Sequence, residues 1–451
     1  MPGPSRKDLA GTARVHDREI WRLAVPAFLA LVAEPLFLLA DAAFVGHLGT
    51  AQLAGLGIAG AVIQTAVGLC VFLAYGTTAA VARRIGAGDL RGALAQGIDG
   101  MWLAVLIGVP TMVAGVVLAR PMVELFGAGA AVDGYATTYL RWAFLGVVPL
   151  LVMLAGTGIL RGLQDTRTPL VIAVAGNLVN IVLNYLLIYV LDLGIAGAAI
   201  GTDLAQLASA LGIVAVVVVT ARREGASLRP DLAGVRRAAH AGAALVVRTV
   251  TLRASLLVTT YAAAALGATS VATHQLALTL WTFCAFALDA IAIAAQAITG
   301  RHLGAGNVTL ARAVTDRMVR WGILSGVVTG VLLGALAPVL GQLFTEDPAV
   351  RDLLWPVLLV AALFQPVAGV VFVLDGVLIG AGDGRYLAWG GLVVLAVFAP
   401  LALLSVHLAP DPGPPLLWLW VAFGVGFMGS RAVVLLHRAH GTRWMVTGLD
   451  A

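Results

Sequence analysis

Four acidic side chains, Glu34, Asp41, Asp289 and Asp375, stand inside long uncharged runs of this chain. A charge at membrane depth costs about 2.5–3.5 kcal/mol on insertion scales, so each of the four calls for a partner or a function. A carboxyl shielded from water favours its neutral form, and a group in that position can load a proton on one side of a barrier and release it on the other. Asp41 and Glu34 are the expected proton-coupling residues, with Asp41 as the main one. Glu34 lies seven residues before it, two helical turns away on nearly the same face. Pro26 and Pro35 stand in the same run, and each removes a backbone donor, which allows the helix to bend beside the acids.

Asn177, Asn180 and Asn184 follow one another at spacings of three and four, which places them on one helical stripe. Their amides can hydrogen-bond a carboxyl in either protonation state, or an incoming substrate or ion. Thr202 and Gln206, one turn apart, continue the polar lining, and Tyr139 is an aromatic candidate for its wall. Hydrogen bonding between helices, about 0.6 kcal/mol per bond, is the competing account of each polar residue. In the second half of the chain, Asp289 and Gln296 share a face by a two-turn spacing, Asp375 lies in a later run, and Arg248 is expected to pair with a buried acid.

The elements that position these groups follow from composition. Sixty per cent of the 451 residues are apolar and eleven per cent are charged, with a mean hydropathy of +0.98. Soluble domains carry about a quarter charged residues. The apolar runs exceed the roughly 20 residues that a helix needs to cross a bilayer, and no alternating barrel pattern occurs. The expected fold is an all-α polytopic membrane protein of twelve transmembrane helices. The spans fall near 20–48, 52–82, 92–119, 134–160, 166–191, 194–221, 240–265, 270–300, 309–338, 349–380, 386–409 and 415–437.

The chain is built twice. Residues 43–165 recur as 261–383 at a constant offset of 218: Gly86-Ala87-Gly88-Asp89 returns as Gly304-Ala305-Gly306-Asn307, and Gly158, Gly162 and Asp165 return as Gly376, Gly380 and Asp383. Two equivalent halves around a midplane site are the architecture of an alternating-access transporter. The acids are not duplicated, since Asp41 aligns with Thr259 and Asp375 with Thr157. Two six-helix lobes related by a pseudo-two-fold axis are expected, an N-lobe over 20–222 and a C-lobe over 240–438. They are joined by a polar cytoplasmic linker at 223–239 and flanked by a terminal segment 1–19 and a tail 439–451. Lys7 and most arginines fall on one side of this arrangement, against Arg120, Arg141 and Arg351 on the other, which puts both termini in the cytoplasm of a plasma (cell inner) membrane protein.

Other classes fit poorly. The basic residues are scattered, so the pI near 9.6 does not indicate nucleic acid. Cys70 and Cys284 lie in apolar runs, no metal motif occurs, and no cofactor is expected beyond H+ or Na+ as coupling ion. Gly55-Leu56-Gly57-Ile58-Ala59-Gly60 spells a dinucleotide pattern without the strand or acid that it requires. An intramembrane enzyme would need a nucleophile and base on a common face, which no pattern here supplies.

Taken together, the segments Leu39-Ala40-Asp41-Ala42-Ala43-Phe44-Val45-Gly46, Gly176-Asn177-Leu178-Val179-Asn180, Ala287-Leu288-Asp289-Ala290 and Leu374-Asp375-Gly376-Val377 resemble the multidrug and toxic compound extrusion (MATE) family, in its DinF-like branch. The resemblance covers nearly the whole chain. It implies a monomeric two-lobe antiporter that expels organic cations or other amphipathic compounds against inward proton or sodium flow, with Asn180 and Thr202 neighbouring the first-helix acid. Many relatives carry a second acid on the fifth helix; here Asn184 takes its place and holds no proton. A lipid-linked precursor flippase of the same superfamily is the alternative. It calls for a strongly cationic cavity, and the buried arginines expected here are Arg248 and Arg253.

Overall fold

The computed structural model describes residues 6–407 and 414–448. Among these residues there is no strand, and the apolar helices follow the expected spans one for one. They are α1 (Asp17–Gly46), α2 (Thr50–Gly86), α3 (Leu90–Glu124), α4 (Ala130–Ala143 with Val147–Gly162), α5 (Arg167–Val190), α6 (Gly194–Arg223), α7 (Leu232–Ala264), α8 (Ala268–Gly304), α9 (Val308–Phe344), α10 (Pro348–Leu363 with Gln365–Gly380), α11 (Gly384–Val406) and α12 (Pro415–His440). Ten are single spans, of which α2 is interrupted by a turn at Cys70 and Val71. The fourth and tenth are pairs, bent by 52° and 50°.

The two bends occupy equivalent places, because Val147 plus the offset of 218 is Gln365. Proline explains both. Pro149 and Pro366 lie in the first turn of the second segment, where a missing N–H is tolerated, and each lacks the amide that would bond back to the preceding segment. The packing is duplicated as well, with α4 lying on α2 and α3, and α10 on α8 and α9. Gly158 faces the Ala74 carbonyl so closely that an added Cβ would come within 2.6 Å of it, and Gly376 is pressed against the equivalent Ala292 carbonyl. In a bilayer, such small residues let two backbones meet.

The repeated Gly-Ala-Gly turns are helix starts. Gly88 and Gly306 adopt φ of +79° and +72°, a region that favours glycine. The following residue caps the next helix, Asp89 accepting the Gly92 amide at 2.8 Å and Asn307 the Leu310 amide at 3.0 Å. The Gly92 bond, helped by Arg84, holds the Asp89 carboxyl below the usual carboxylate range.

The chain forms two compact units, Leu29–Gly242 (the N-unit) and Met1–Phe28 with Ala243–Ala451 (the C-unit). These bounds differ from the expected lobes in two places. The beginning of α1 belongs to the C-unit, where Asp17 takes two hydrogen bonds from Arg317 (2.7 and 2.6 Å) and one from the Trp321 indole (2.7 Å). Glu19 pairs with Arg301 at 2.5 Å, and Trp21 meets Trp321 edge-on. The polar stretch 223–239 is no free linker, because Asp99 accepts the Asp231 amide at 2.9 Å and the Trp102 indole donates to the Leu228 carbonyl. These bonds hold the stretch on α3, within the N-unit. The end of the chain is tied back too, with Trp444 buried and the Gly448 amide on the Leu303 carbonyl at 3.2 Å. Residues 1–5 and 449–451 of the expected end segments lie outside the described residues.

Candidate functional site

Within the N-unit, α5 carries three donors that reach α1. The Asn177 amide donates to the Ala33 carbonyl (3.3 Å), Asn184 Nδ2 to Asp41 Oδ1 (2.5 Å) and the Tyr189 hydroxyl to the Phe44 carbonyl (2.7 Å). The middle contact is the chemical one. Asp41 is 4% exposed, and Asn180 and Asn184 are fully enclosed. Asn184 Nδ2 also donates to Asn180 Oδ1 at 2.9 Å, and Asn180 Nδ2 donates to the Thr202 hydroxyl at 3.1 Å. The single Thr202 proton has two acceptors, the Ala198 carbonyl at 3.0 Å and Asp41 Oδ2 at 3.4 Å. Tyr139 on α4 is buried as well. Helices α1, α5 and α6 thus meet at one carboxyl whose hydrogen-bond donors are all neutral.

This arrangement accepts either state of the acid. The charged carboxylate takes the Asn184 N–H and the Thr202 O–H. Asn184 Oδ1 is buried without a partner, so turning the amide over would offer an acceptor to a protonated Asp41. Thr202 can then give its proton to Ala198. Charged, Asp41 would carry a desolvation penalty that these neutral donors offset only in part.

Other expected residues lie apart from this cluster. Glu34 is exposed on α1 and makes none of its hydrogen bonds. The α1 helix runs through Pro26 and Pro35 without a break. Gln206 lies against Gly146, and so does Asp203, an acid in α6 that the pattern of Thr202 and Gln206 had not singled out. Asp203 Oδ1 is buried without a hydrogen-bond partner. Acids within the spans therefore number more than four, with Asp99 and Asp203 added. Each stands in an apolar run as Asp41 does, and that signal was available in the sequence.

In the C-unit, Arg248 on α7 grips Asp375 on α10 through Nε (3.1 Å) and Nη2, the pairing expected for it. Arg431 on α12 joins the same carboxylate at 3.4 Å. Arg431, which no sequence pattern singled out, is buried. Arg83 is buried as well, whereas Arg253 is exposed, so the buried arginines are not the two expected. Gln296 is buried and Asp289 half-buried on α8, within the packing against α10. The positions equivalent to Asp41, Asn180 and Asn184 are Thr259, Phe398 and Ala402, all buried, so the polar cluster exists in one unit only.

The MatE family model matches the chain twice, over residues 26–186 and 244–404, the same offset of 218. The chain belongs to the MatE family. It is 33% identical to Protein DETOXIFICATION 44, chloroplastic, of Arabidopsis thaliana over 94% of this chain and 82% of that one. It is 30% identical to DNA damage-inducible protein F of Escherichia coli over 96% and 95% of the two chains. Solved structures share the fold: a MOP superfamily transporter from Pyrococcus furiosus superposes with a TM-score of 0.86 at 22% identity, covering 95% of this chain and 97% of that one. Vibrio cholerae VcmN in its bent form superposes at 0.87 and 21%, covering 96% and 99%. As a MatE protein the chain is a multi-pass membrane transporter of the multidrug and toxin efflux class, which acts on small molecules and is not an enzyme. The flippase alternative is not favoured.

Proposed function

We propose that this chain is an antiporter that exports organic cations or other amphipathic compounds in exchange for protons, with Asp41 as the coupling carboxylate. The observation that carries the reading is the enclosure of Asp41 among Asn184, Asn180 and Thr202, with neutral donors alone holding it. Protonation removes the cost of a buried charge and exchanges the bonds that α5 and α6 make to α1. A helix with prolines at positions 26 and 35 can answer that exchange by bending. Asn184, neutral at any pH, leaves Asp41 as the acid of the cluster, which supports one proton over a sodium ion held between two carboxylates. The membrane is taken as the plasma membrane, with both termini cytoplasmic, on the distribution of arginines.

The reading is tested in proteoliposomes loaded with a fluorescent cationic dye. An inside-out pH gradient imposed alone should drive dye movement, and a sodium gradient imposed alone should not. Transport that follows sodium and ignores pH would overturn proton coupling.

A further inference from the structure

Arg431 is a buried guanidinium with little to satisfy it. It is 8% exposed, yet its one hydrogen bond is the 3.4 Å contact to Asp375 Oδ2, and its remaining contacts are the faces of Phe427 (5.4 Å) and Phe372 (6.0 Å). Asp375 is already held at two points by Arg248. A guanidinium has five N–H donors, and enclosure without acceptors costs several kcal/mol. The polar edge of Arg431 opens on a cavity of about 20 Å³ inside the C-unit, lined also by Arg248, Leu252, Asp375, Gly390 and Gly391. The two glycines present no side chain to the space. A π-helical stretch, Phe423–Gly429, ends two residues before Arg431 and offsets the register of the turn that carries it.

We propose that this cavity is a binding site for a small inorganic anion of halide size, held by Arg431 with Arg248 at its margin. The volume of about 20 Å³ admits about one water-sized occupant, which suits a halide better than a phosphate or an organic acid. A water molecule would fit the space but would accept at most two of several N–H groups, bring two donors of its own and leave the charge in place. An anion supplies both the acceptors and the countercharge. The site is independent of the Asp41 cluster, which lies in the other unit.

The test is thermal unfolding of the full purified chain in sodium chloride or sodium bromide against sodium gluconate at equal ionic strength, since gluconate is too large to enter. A saturable rise in melting temperature with either halide is expected. It should be lost in Arg431→Gln and kept in Arg120→Gln, a control at an exposed arginine paired with Glu124. Should Arg431→Gln fail to fold, anomalous scattering from crystals of the unaltered chain grown in bromide decides the matter, with a peak beside Arg431 expected. Equal melting in halide and gluconate, a halide effect that survives Arg431→Gln, or no bromide peak in the cavity would each overturn the proposal. The cavity would then hold only water.

Discussion

Asn184 links two helices through one amide, and its loss separates two kinds of contribution. Asn184→Leu removes the short bond to Asp41 and the bond to Asn180 together, so gradient-driven transport should fall by more than tenfold. Thr202→Val removes a longer bond whose proton already has the Ala198 carbonyl as an alternative. A loss of about 2–10-fold is expected there, in keeping with one ordinary hydrogen bond. Initial rates of dye efflux at fixed pH gradient measure both, and equal losses would show that the amide has no special place. Much of this cluster is legible in the sequence, because spacings of three and four bring Asn180 and Asn184 to one face and an acid in an apolar run stands out. Arg431 is not legible in that way. The expected span 415–437 already encloses it, but its neighbours depend on the π-helical stretch before it, which hydropathy does not record.

The duplicated helices make paired substitutions informative. Asp89 and Asn307 cap equivalent helices, so Asp89→Asn should leave stability nearly unchanged, whereas Asp89→Ala should lower it by about 1 kcal/mol. Because the native Asp89 pKa is depressed, its contribution is complete above the unfolded value and is lost as pH falls through the folded one. Melting curves of the unaltered chain and of Asp89→Ala should therefore differ near neutral pH and draw together in acid. Gly376→Val places a branched side chain against the Ala292 carbonyl of α8, and the strain should cost about 1–3 kcal/mol or more, read as lost monodisperse protein on size exclusion. The number and order of spans were open to sequence reasoning, since twenty apolar residues have few alternatives to a membrane helix. The bends in α4 and α10 do not show in hydropathy, because a run remains equally apolar whether straight or bent, and Pro149 and Pro366 are the sequence signal that marks them.

At the scale of the whole chain, the offset of 218 governs the scaffold while the chemistry differs between halves. The N-unit keeps an acid among amides, and the C-unit fills the equivalent positions with Thr259, Phe398 and Ala402 and places its charges around Asp375. The first helix belongs to both units: its beginning is held by Arg301 and Arg317, and its later turns by Asn184 and Tyr189. A double-mutant cycle of Asp17→Ala with Arg317→Ala should show coupling of about 1 kcal/mol in thermal stability, the upper end for a partly exposed pair, given its two-point geometry. Sequence spacing assigned the repeat but not this division of α1, because the ion pairs join positions 300 residues apart.

The central claim is that Asp41 itself gains and loses a proton. Infrared difference spectroscopy of the purified transporter between acidic and alkaline buffer reads it directly. A protonated-carboxyl band that appears on acidification and is absent in Asp41→Asn is the expected result. Identical difference spectra from the two proteins would contradict the account.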